Sequence, residues 1–194
     1  MKSFNTIVRC YLVLMMILVL HGCAAAVVGT GATGVAVAHD RRTTGTVIED
    51  QAIELKAIQA FYSDQQINAE AHINVTSYNT VVLVTGEAPT EELRDRIISI
   101  VRDIPKVSHV YNEITIAAPS SFVSRSSDSL ITSKVKTRLL TLKDFDGTRV
   151  KVVTEKGVVY LMGLVTREEG DRATETARKA GGVQKVVKLF QYLD

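Results

Sequence analysis

The 194-residue sequence has no tryptophan, three prolines and only two cysteines, and the small number of cysteines restricts what the protein can be. Cys10 lies at the edge of the most apolar stretch of the chain, and Cys23 follows that stretch. If the segment that contains Cys10 is removed from the mature protein, Cys23 is the only cysteine left. An internal disulfide bond and a cysteine-based metal site are then both excluded.

The apolar run that precedes Cys23 is too short to span a membrane. Tyr11–Leu20 contains ten residues, whereas a membrane-spanning helix needs about 20. Lys2 and Arg9 precede this run, and small residues follow it, a pattern typical of a secretory signal peptide. An uncleaved anchor that continues to Val37 is disfavoured, because glycines, threonines and a histidine interrupt the segment.

The end of the apolar run, Leu20-His21-Gly22-Cys23, resembles the lipobox of bacterial lipoproteins, Leu-x-Gly-Cys. The resemblance implies that residues 1–22 are removed, that the Cys23 thiol carries a diacylglycerol, and that its amine is acylated. Aspartate after the cysteine disfavours export to the outer membrane in enterobacteria, and Ala24 stands there instead. The expected location is therefore the outer membrane, with the protein lipid-anchored and facing the periplasm.

Residues 23–45 begin at this cysteine and are rich in glycine, alanine and threonine, which predicts a flexible tether. The stretch Gly29–Gly34 (GTGATG) matches the dinucleotide-binding pattern G-x-G-x-x-G. That fingerprint requires a strand immediately before it. Because it begins six residues after Cys23, there is no room for a strand. The sequence therefore does not predict dinucleotide binding.

The rest of the sequence contains an internal repeat. His72–Gly86 aligns without a gap to Arg149–Gly163 at an offset of 77 residues, and upstream Asp50 aligns to Asp128 at an offset of 78. We interpret the repeat as a duplicated module. The expected division is a first domain at 46–118, a linker at 119–123 and a second domain at 124–194.

Each copy shows the same order of local patterns. Apolar residues at helical spacing come first, such as Ile131, Val135, Leu139 and Leu142 in the second copy. Two β-rich runs with a turn between them follow, then a second helix and a last strand. The predicted fold class is α+β: two tandem α-β-β-α-β domains, each a three-stranded sheet with two helices packed on one face.

Two blocks of the first copy resemble the BON domain of bacterial proteins: Val81-x-Leu83-x-x-Gly86 and the segment VSHVYNEI at 107–114. In the second copy, Gly157–Gly163 (GVVYLMG) fits the first block better, whereas Val186–Phe190 lacks the Asn-Glu pair of the second. Two BON domains behind a lipobox imply a periplasmic protein that binds phospholipid. They also imply support of outer-membrane integrity and a link to the division site.

No group of residues predicts catalysis, and the protein is not expected to be an enzyme. His72 and His109 lie near the starts of separate strands, without a second ligand at metal-binding spacing. The acidic pairs Glu91-Glu92 and Glu168-Glu169 fall in first helical turns, where negative charge is favourable for the helix dipole. A G-x-S-x-G nucleophile motif is absent. We expect no cofactor and no bound metal.

The two copies carry opposite charge. Residues 46–118 contain 5 basic and 11 acidic residues, a net charge of −6, and residues 124–194 contain 14 and 9, a net charge of +5. A basic module beside anionic lipid gains about 1 kcal/mol for each well-placed lysine or arginine. The second copy is therefore the one expected to contact the membrane.

The first helix of the second copy indicates which residues would contact the membrane. With its apolar stripe in the core, Leu130, Lys134, Thr137 and Thr141 share another face, and Arg138 lies at the edge. A leucine among lysines and hydroxyl groups suits a helix that lies on lipid head groups, although a solvated helix with surface leucines would show the same pattern. The predicted ligands are anionic phospholipids, phosphatidylglycerol and cardiolipin. The predicted binding residues are Leu130, Ser133, Lys134, Thr137, Arg138 and Thr141.

An alternative function remains open. The acidic first domain, with its strand Tyr111-Asn112-Glu113, would dock a protein of an envelope assembly or division machine, or the sister domain. Nucleic-acid binding by the basic half is disfavoured, because of the periplasmic location and because no aromatic residues are interleaved with the basic ones.

Overall fold

The computed structural model describes residues 40–119 and 122–194. The predicted signal peptide (1–22), the predicted lipid attachment at Cys23 and residues 23–39 of the predicted tether lie outside those residues. From residue 39 to the C-terminus the chain is one compact unit. Within it, the same α+β arrangement occurs twice, which confirms the fold class that the repeat predicts.

The elements follow the predicted order in both copies, with one extra short helix in the first. The first domain contains α1 (Thr44–Ser63), α2 (Gln65–Glu70), β1 (His72–Tyr78), β2 (Val81–Ala88), α3 (Glu91–Arg102) and β3 (His109–Ile116). The second contains α4 (Phe122–Leu140), a 3₁₀ turn (Gly147–Arg149), β4 (Val150–Glu155), β5 (Val158–Val165), α5 (Arg167–Arg178) and β6 (Lys185–Tyr192).

In each sheet the second strand along the chain lies between the other two, so the spatial orders are β1-β2-β3 and β4-β5-β6. The first pair is an antiparallel hairpin, in which His72 lies opposite Glu87. The second pair is parallel, with Val81 opposite His109. The helix between β2 and β3 supplies the crossover that two parallel neighbours need. The sheet of the second domain has the same strand pairing and register.

The helix before the last strand of each domain, α3 or α5, begins at a threonine that caps it. Thr90 Oγ1 accepts a hydrogen bond from the N–H of Leu93 at 3.2 Å. Thr166 and Glu169 form a reciprocal capping box. Each contact satisfies a backbone donor that the first turn of a helix would otherwise leave unbonded.

The β-hairpin of each domain is held by an aspartate from the preceding helix. Only Asn79–Thr80 and Lys156–Gly157 lie between the strands of the two hairpins, and all four residues have positive φ. Asp50 accepts hydrogen bonds from the N–H groups of Asn79 and Thr80, and Asp128 accepts them from Lys156 and Gly157. The two aspartates that the repeat aligns therefore perform one structural role.

Gly86 marks a close passage of two backbones in the first hairpin. It has a φ of 122°, and a Cβ built there would lie 1.9 Å from the carbonyl oxygen of His72. At the aligned Gly163, a Cβ would lie 2.7 Å from the carbonyl oxygen of Arg149. Only glycine fits either position without moving the backbone of the neighbouring strand.

The middle strands alternate between two apolar layers. Val82 and Val84 face α1 and α3, and Val159 and Leu161 face α4 and α5. The opposite faces of the two sheets share a third cluster, which includes Tyr78, Leu83, Tyr160, Met162 and Leu189. The helix-free faces of the two sheets thus lie against each other. The four layers are helices, sheet, sheet and helices, with α1 and α4 on opposite outer sides.

Two predicted segment boundaries differ from the structure. Residues 40–45 were expected to belong to the tether, but α1 begins at Thr44 and the residues before it contact both domains. The linker was expected to run to residue 123, but α4 begins at Phe122. The serines after it resemble a linker in sequence. Within a helix, a serine hydroxyl can bond its own backbone, as Ser129 Oγ does with the carbonyl oxygen of Arg125.

Candidate functional site

The outer face of α4 carries the residues that the sequence predicts for lipid contact. Its inner face is buried as expected, through Ile131, Val135 and Leu139. Leu130 is 62% exposed, and Leu140, near the other end of the helix, is 60% exposed. The six predicted residues are all exposed: Leu130, Ser133, Lys134, Thr137, Arg138 and Thr141. The structure therefore places all six where a flat surface could contact them with the core intact.

The hydroxyl groups on this face are bonded to the backbone of their own helix. Ser133 Oγ donates to the carbonyl oxygen of Ser129 at 2.9 Å, and Thr137 Oγ1 donates to that of Ser133 at 2.9 Å. Thr141 Oγ1 continues the row to the carbonyl oxygen of Thr137 at 3.0 Å. These bonds use the hydroxyl hydrogens and leave oxygen lone pairs available. The row therefore offers acceptors, and a ligand phosphate must find its donors elsewhere.

Lys134 and Arg138 supply those donors. Both side chains are exposed, and Arg138 lies in the last turn of α4, where a cation is favourable for the helix dipole. Lys134 Nζ lies 3.5 Å from the carbonyl oxygen of Gly181, a weak contact at the helix edge. Both cationic side chains can therefore reorient towards a ligand without breaking strong contacts.

A depression of about 400 Å³ adjoins Leu130 and Lys134, and sequence reasoning did not identify it. Its far side is formed by the β4–β5 turn and by Gly181 and Gly182. Gly182 has a φ of 99°, and a Cβ there would lie 2.9 Å from Ile131 Cγ1, whereas one at Gly181 would meet nothing within 4 Å. The pair of consecutive glycines after α5 was the sequence signal for this opening.

The corresponding face of α1 lacks most of these groups. At the offset of 78 residues that relates Asp50 to Asp128, Leu130 corresponds to Ala52, Lys134 to Lys56 and Arg138 to Ala60. The duplicated fold therefore does not require a leucine with two cations here, and the feature belongs to the second domain alone.

The strand proposed for docking partners lies partly against the sister domain. Tyr111 packs against the apolar cluster between the sheets. Glu113 accepts a hydrogen bond at 3.1 Å from the hydroxyl of Tyr160, and burial followed by the charge of Glu113 raises the pKa of that hydroxyl. Of the two expectations for this strand, contact with the sister domain is the one that the structure shows.

Carboxylates lie buried at the seam between the domains. Glu87 is inaccessible to solvent, and Lys156 Nζ of the second domain lies 2.9 Å from its carboxylate. Glu155, beside Lys156 in sequence, accepts a hydrogen bond from Asn74 Nδ2 at 3.4 Å. Burial, with the nearby charge of Glu87, raises the pKa of the Glu155 carboxyl above its ordinary value. The seam is thus polar at one end and apolar in its centre.

The residues just before α1 join the two domains. Arg41 binds Glu169 of α5 through two hydrogen bonds, of 2.6 and 2.8 Å, and donates to the carbonyl oxygen of Leu164 at 3.1 Å. Arg42 binds Asp50 of α1 at 2.7 Å and lies 4.0 Å from the ring centre of Tyr78. The chain therefore crosses the seam between the domains at this point, where a free tether was expected.

The described residues contain neither a membrane-spanning helix nor a cluster of metal-ligating side chains. Between residues 40 and 119 and between 122 and 194, no helix is long and apolar enough to cross a membrane. In the same two ranges, no group of three histidine, cysteine or acidic side chains is arranged to hold a metal ion.

Taken together, the fold and the site define a protein of two fused α+β modules, of which the second presents a basic, partly apolar helix. The profile of the BON domain matches residues 49–118 and 127–194, and the chain belongs to the BON domain family. This result confirms the family that the sequence motifs indicate, and the presence of two copies.

Several known proteins are similar over most of their length. The outer membrane lipoprotein DolP of Haemophilus influenzae is 42% identical over 90% of this chain and 91% of that protein. The 21 kDa hemolysin of Actinobacillus pleuropneumoniae is 36% identical over 79% of each chain. The osmotically-inducible protein Y of Escherichia coli is 27% identical over 73% of this chain and 72% of that protein.

Proposed function

We propose that the protein is a lipoprotein of the outer membrane, anchored through acylated Cys23, whose second BON domain binds anionic phospholipid on the periplasmic side. The ligands are phosphatidylglycerol and cardiolipin, and the binding residues are Leu130, Ser133, Lys134, Thr137, Arg138 and Thr141. Through this contact it supports outer-membrane integrity, including at the division site. The similarity to an outer membrane lipoprotein supports the location.

One observation carries the lipid proposal: an exposed leucine and two weakly engaged cations lie on one outer helix face of the basic domain. Burying Leu130 in the acyl region would contribute about 1.5–3 kcal/mol at most. Lys134 and Arg138 would each add about 1 kcal/mol near an anionic surface. These sums suffice for a reversible contact that distinguishes lipids, and they are too small to hold the protein on a membrane.

The anchor would provide the holding force. Acyl chains contribute about 0.8 kcal/mol per buried CH₂ group, and two or more chains anchor a protein firmly. The anchor would also keep the second domain at a high effective concentration near the bilayer. Mass spectrometry of the mature chain tests this part: fatty chains on Cys23 are expected, and an unmodified thiol there would contradict the anchor.

Vesicle co-sedimentation tests the lipid contact independently of the anchor. The chain from residue 39 onwards is expected to bind vesicles that contain phosphatidylglycerol and to remain in solution with pure phosphatidylcholine. Replacing Lys134 and Arg138 by glutamine should remove most of the binding. Lys56→Gln is the matched control, since Lys56 occupies the position of Lys134 in the first domain. Equal losses in both variants would contradict a site on α4.

A second function, docking of an envelope protein by the acidic first domain, has a separate structural basis. It depends on a surface of α1 rather than on the strand Tyr111-Asn112-Glu113.

A further inference from the structure

The outer face of α1 is unusually apolar for an exposed helix surface. Four large side chains are 61%, 56%, 43% and 71% exposed, in chain order: Ile48, Leu55, Ile58 and Tyr62. At 100° per residue they fall within a sector of about 80°, and they extend along about 21 Å of the helix. We call these four residues the α1 stripe. Single exposed apolar residues are common, but four large ones on one helix face, with exposed Gln51 between the first two, are typical of a contact surface.

The fold itself does not require the α1 stripe. At the offset of 78, Ile48, Leu55 and Ile58 correspond to Ser126, Ser133 and Lys136 in α4, and only Tyr62 corresponds to another apolar residue, Leu140. The same helix of the same module is therefore stable with a polar surface in these positions. An apolar surface in the first domain alone points to a function that the first domain alone performs.

A groove continues the α1 stripe at its C-terminal end. It has a volume of about 410 Å³ and lies between α1, α2 and the start of β1. Ile58 and Tyr62 belong to both the stripe and the groove, and Phe61 and Ile67 form its apolar floor. A bound helix along the stripe could insert one large side chain here, as the central contacts of protein interfaces do.

The charge around the α1 stripe indicates what covers it. The stripe contains no charged residue, while the surrounding domain has a net charge of −6. Exposed Glu70 ends the short helix that forms one wall of the groove, whereas Glu49, after the first stripe residue, has Lys106 Nζ 3.9 Å from its carboxylate. Exposed Lys56 follows Leu55, so the negative charge is a property of the whole domain rather than of the immediate neighbours of the stripe. A domain of net negative charge opposes contact with an anionic bilayer and favours a partner with basic residues.

We propose that the α1 stripe and its groove bind an amphipathic helix of another protein, apolar on one face and flanked by lysine or arginine. Such a helix would lie along α1 with apolar residues at i, i+3 or i+4 and i+7. The four stripe residues expose about 500 Å² on this chain. A contact of that size is among the smaller, reversible protein interfaces. Because α1 and α4 lie on opposite outer layers, this contact and lipid binding by α4 could occur together.

A synthetic helix tests the proposal directly. The full chain is reconstituted in phosphatidylcholine nanodiscs and titrated against a fluorescent 18-residue peptide with leucine on one face and lysine on its flanks. A second peptide has glutamate in place of each lysine. Fluorescence anisotropy should show binding of the lysine peptide, with at least tenfold weaker binding of the glutamate peptide.

The variant Leu55→Ser with Ile58→Gln removes apolar surface from the α1 stripe without changing charge. It should weaken binding of the lysine peptide at least tenfold while the thermal unfolding of the chain is unchanged, because α4 shows that polar residues are tolerated there. Leu130→Ser is the control, and it should leave peptide binding unchanged. Phosphatidylglycerol binding should be weakened only in the Leu130 and α4 cation variants, so this proposal and the lipid proposal can fail separately.

Five results would overturn the proposal. Three concern the peptides: absence of binding by the lysine peptide, equal binding of both peptides, and retention of binding by the Leu55→Ser, Ile58→Gln variant. The other two would identify a different occupant. Sedimentation that shows a dimer dependent on the α1 stripe would assign the surface to a second copy, and competition by phosphatidylcholine vesicles would assign it to lipid.

Discussion

Lys156, in the hairpin turn of the second domain, extends its ammonium group to within 2.9 Å of the carboxylate of Glu87 in the middle strand of the first. Glu87 is inaccessible to solvent, whereas Lys156 keeps about a third of its side chain exposed, 36%. An isolated charge in the place of Glu87 would be strongly destabilising. The two domains therefore depend on each other for a buried charge as well as for apolar burial.

The first prediction follows from this pair. Lys156→Met removes the cation that lies 2.9 Å from Glu87 and should lower the free energy of unfolding by about 2 kcal/mol, less than for a fully buried pair because Lys156 reaches water. Adding Glu87→Gln should recover part of the loss. Urea denaturation of the single and double variants measures both effects, and a single variant as stable as the wild type would refute the assigned role of the pair.

The second prediction concerns the apolar seam. Leu83 is buried between the two sheets, and Leu83→Ala should cost about 2–5 kcal/mol. Because Leu83 packs with Tyr160 and Met162, hydrogen exchange should speed up in α5 of the second domain as well as in the first domain. Unchanged exchange in α5 would mean that the domains unfold independently, contrary to the shared cluster.

The third prediction is a pH dependence at the segment that joins the domains. Burial alone would raise the pKa of the Glu169 carboxyl, but hydrogen bonds from Arg41 and the Thr166 N–H, with the charges of Arg41 and Arg149, lower it below the ordinary 4.5. A lowered folded-state pKa contributes stability above pH 4.5 that is lost as the pH falls through the folded value. Arg41→Gln should therefore destabilise the protein by about 1–3 kcal/mol at pH 7.

The difference between Arg41→Gln and the wild type should shrink as the pH falls below 4.5 and through the lowered pKa of Glu169, because this carboxyl becomes protonated in both. Arg167→Gln provides a comparison, since the Arg167 guanidinium lies 4.7 Å from the ring centre of Tyr192 and is not among the groups that lower the pKa of Glu169. Thermal unfolding at several pH values would decide. A difference that stays constant with pH would mean that Arg41 acts by packing alone.

The fourth prediction separates the charge and the apolar parts of lipid binding. Removing Lys134 and Arg138 together should weaken binding to phosphatidylglycerol vesicles about 30-fold at low salt, on the basis of about 1 kcal/mol per charge. Leu130→Ala should weaken it less, and its effect should persist at high salt because apolar burial is not screened. Vesicle binding at two ionic strengths measures this. If salt left the wild-type binding unchanged, charge would have no part in it.

The sequence predicted the order of elements in both domains because each element carries its own signal. The stripe of Ile131, Val135 and Leu139 has the period of a helix, and the alignment of Gly86 with Gly163 marks the same backbone crossing twice. The exposure of Leu130 was also predictable, because the core stripe of α4 leaves that position outside.

The packing of one domain on the other was predicted only as one alternative for the strand Tyr111-Asn112-Glu113, although a further signal existed. β2 and β5 are almost continuously apolar, which is typical of strands buried on both faces. The sequence predicted helices on one face of these strands and no covering layer on the other face. The joining role of Arg41 could not be inferred from sequence, since its partner Glu169 is 128 residues away and no local pattern links them.

The most direct test of lipid binding by the second domain is an NMR titration of the chain from residue 39 onwards with phosphatidylglycerol micelles and with zwitterionic micelles. We expect amide shifts to change along the outer face of α4, from residue 129 to 141, with the anionic micelles only. Shifts that stay unchanged there, or that change equally with both micelles, would contradict the account.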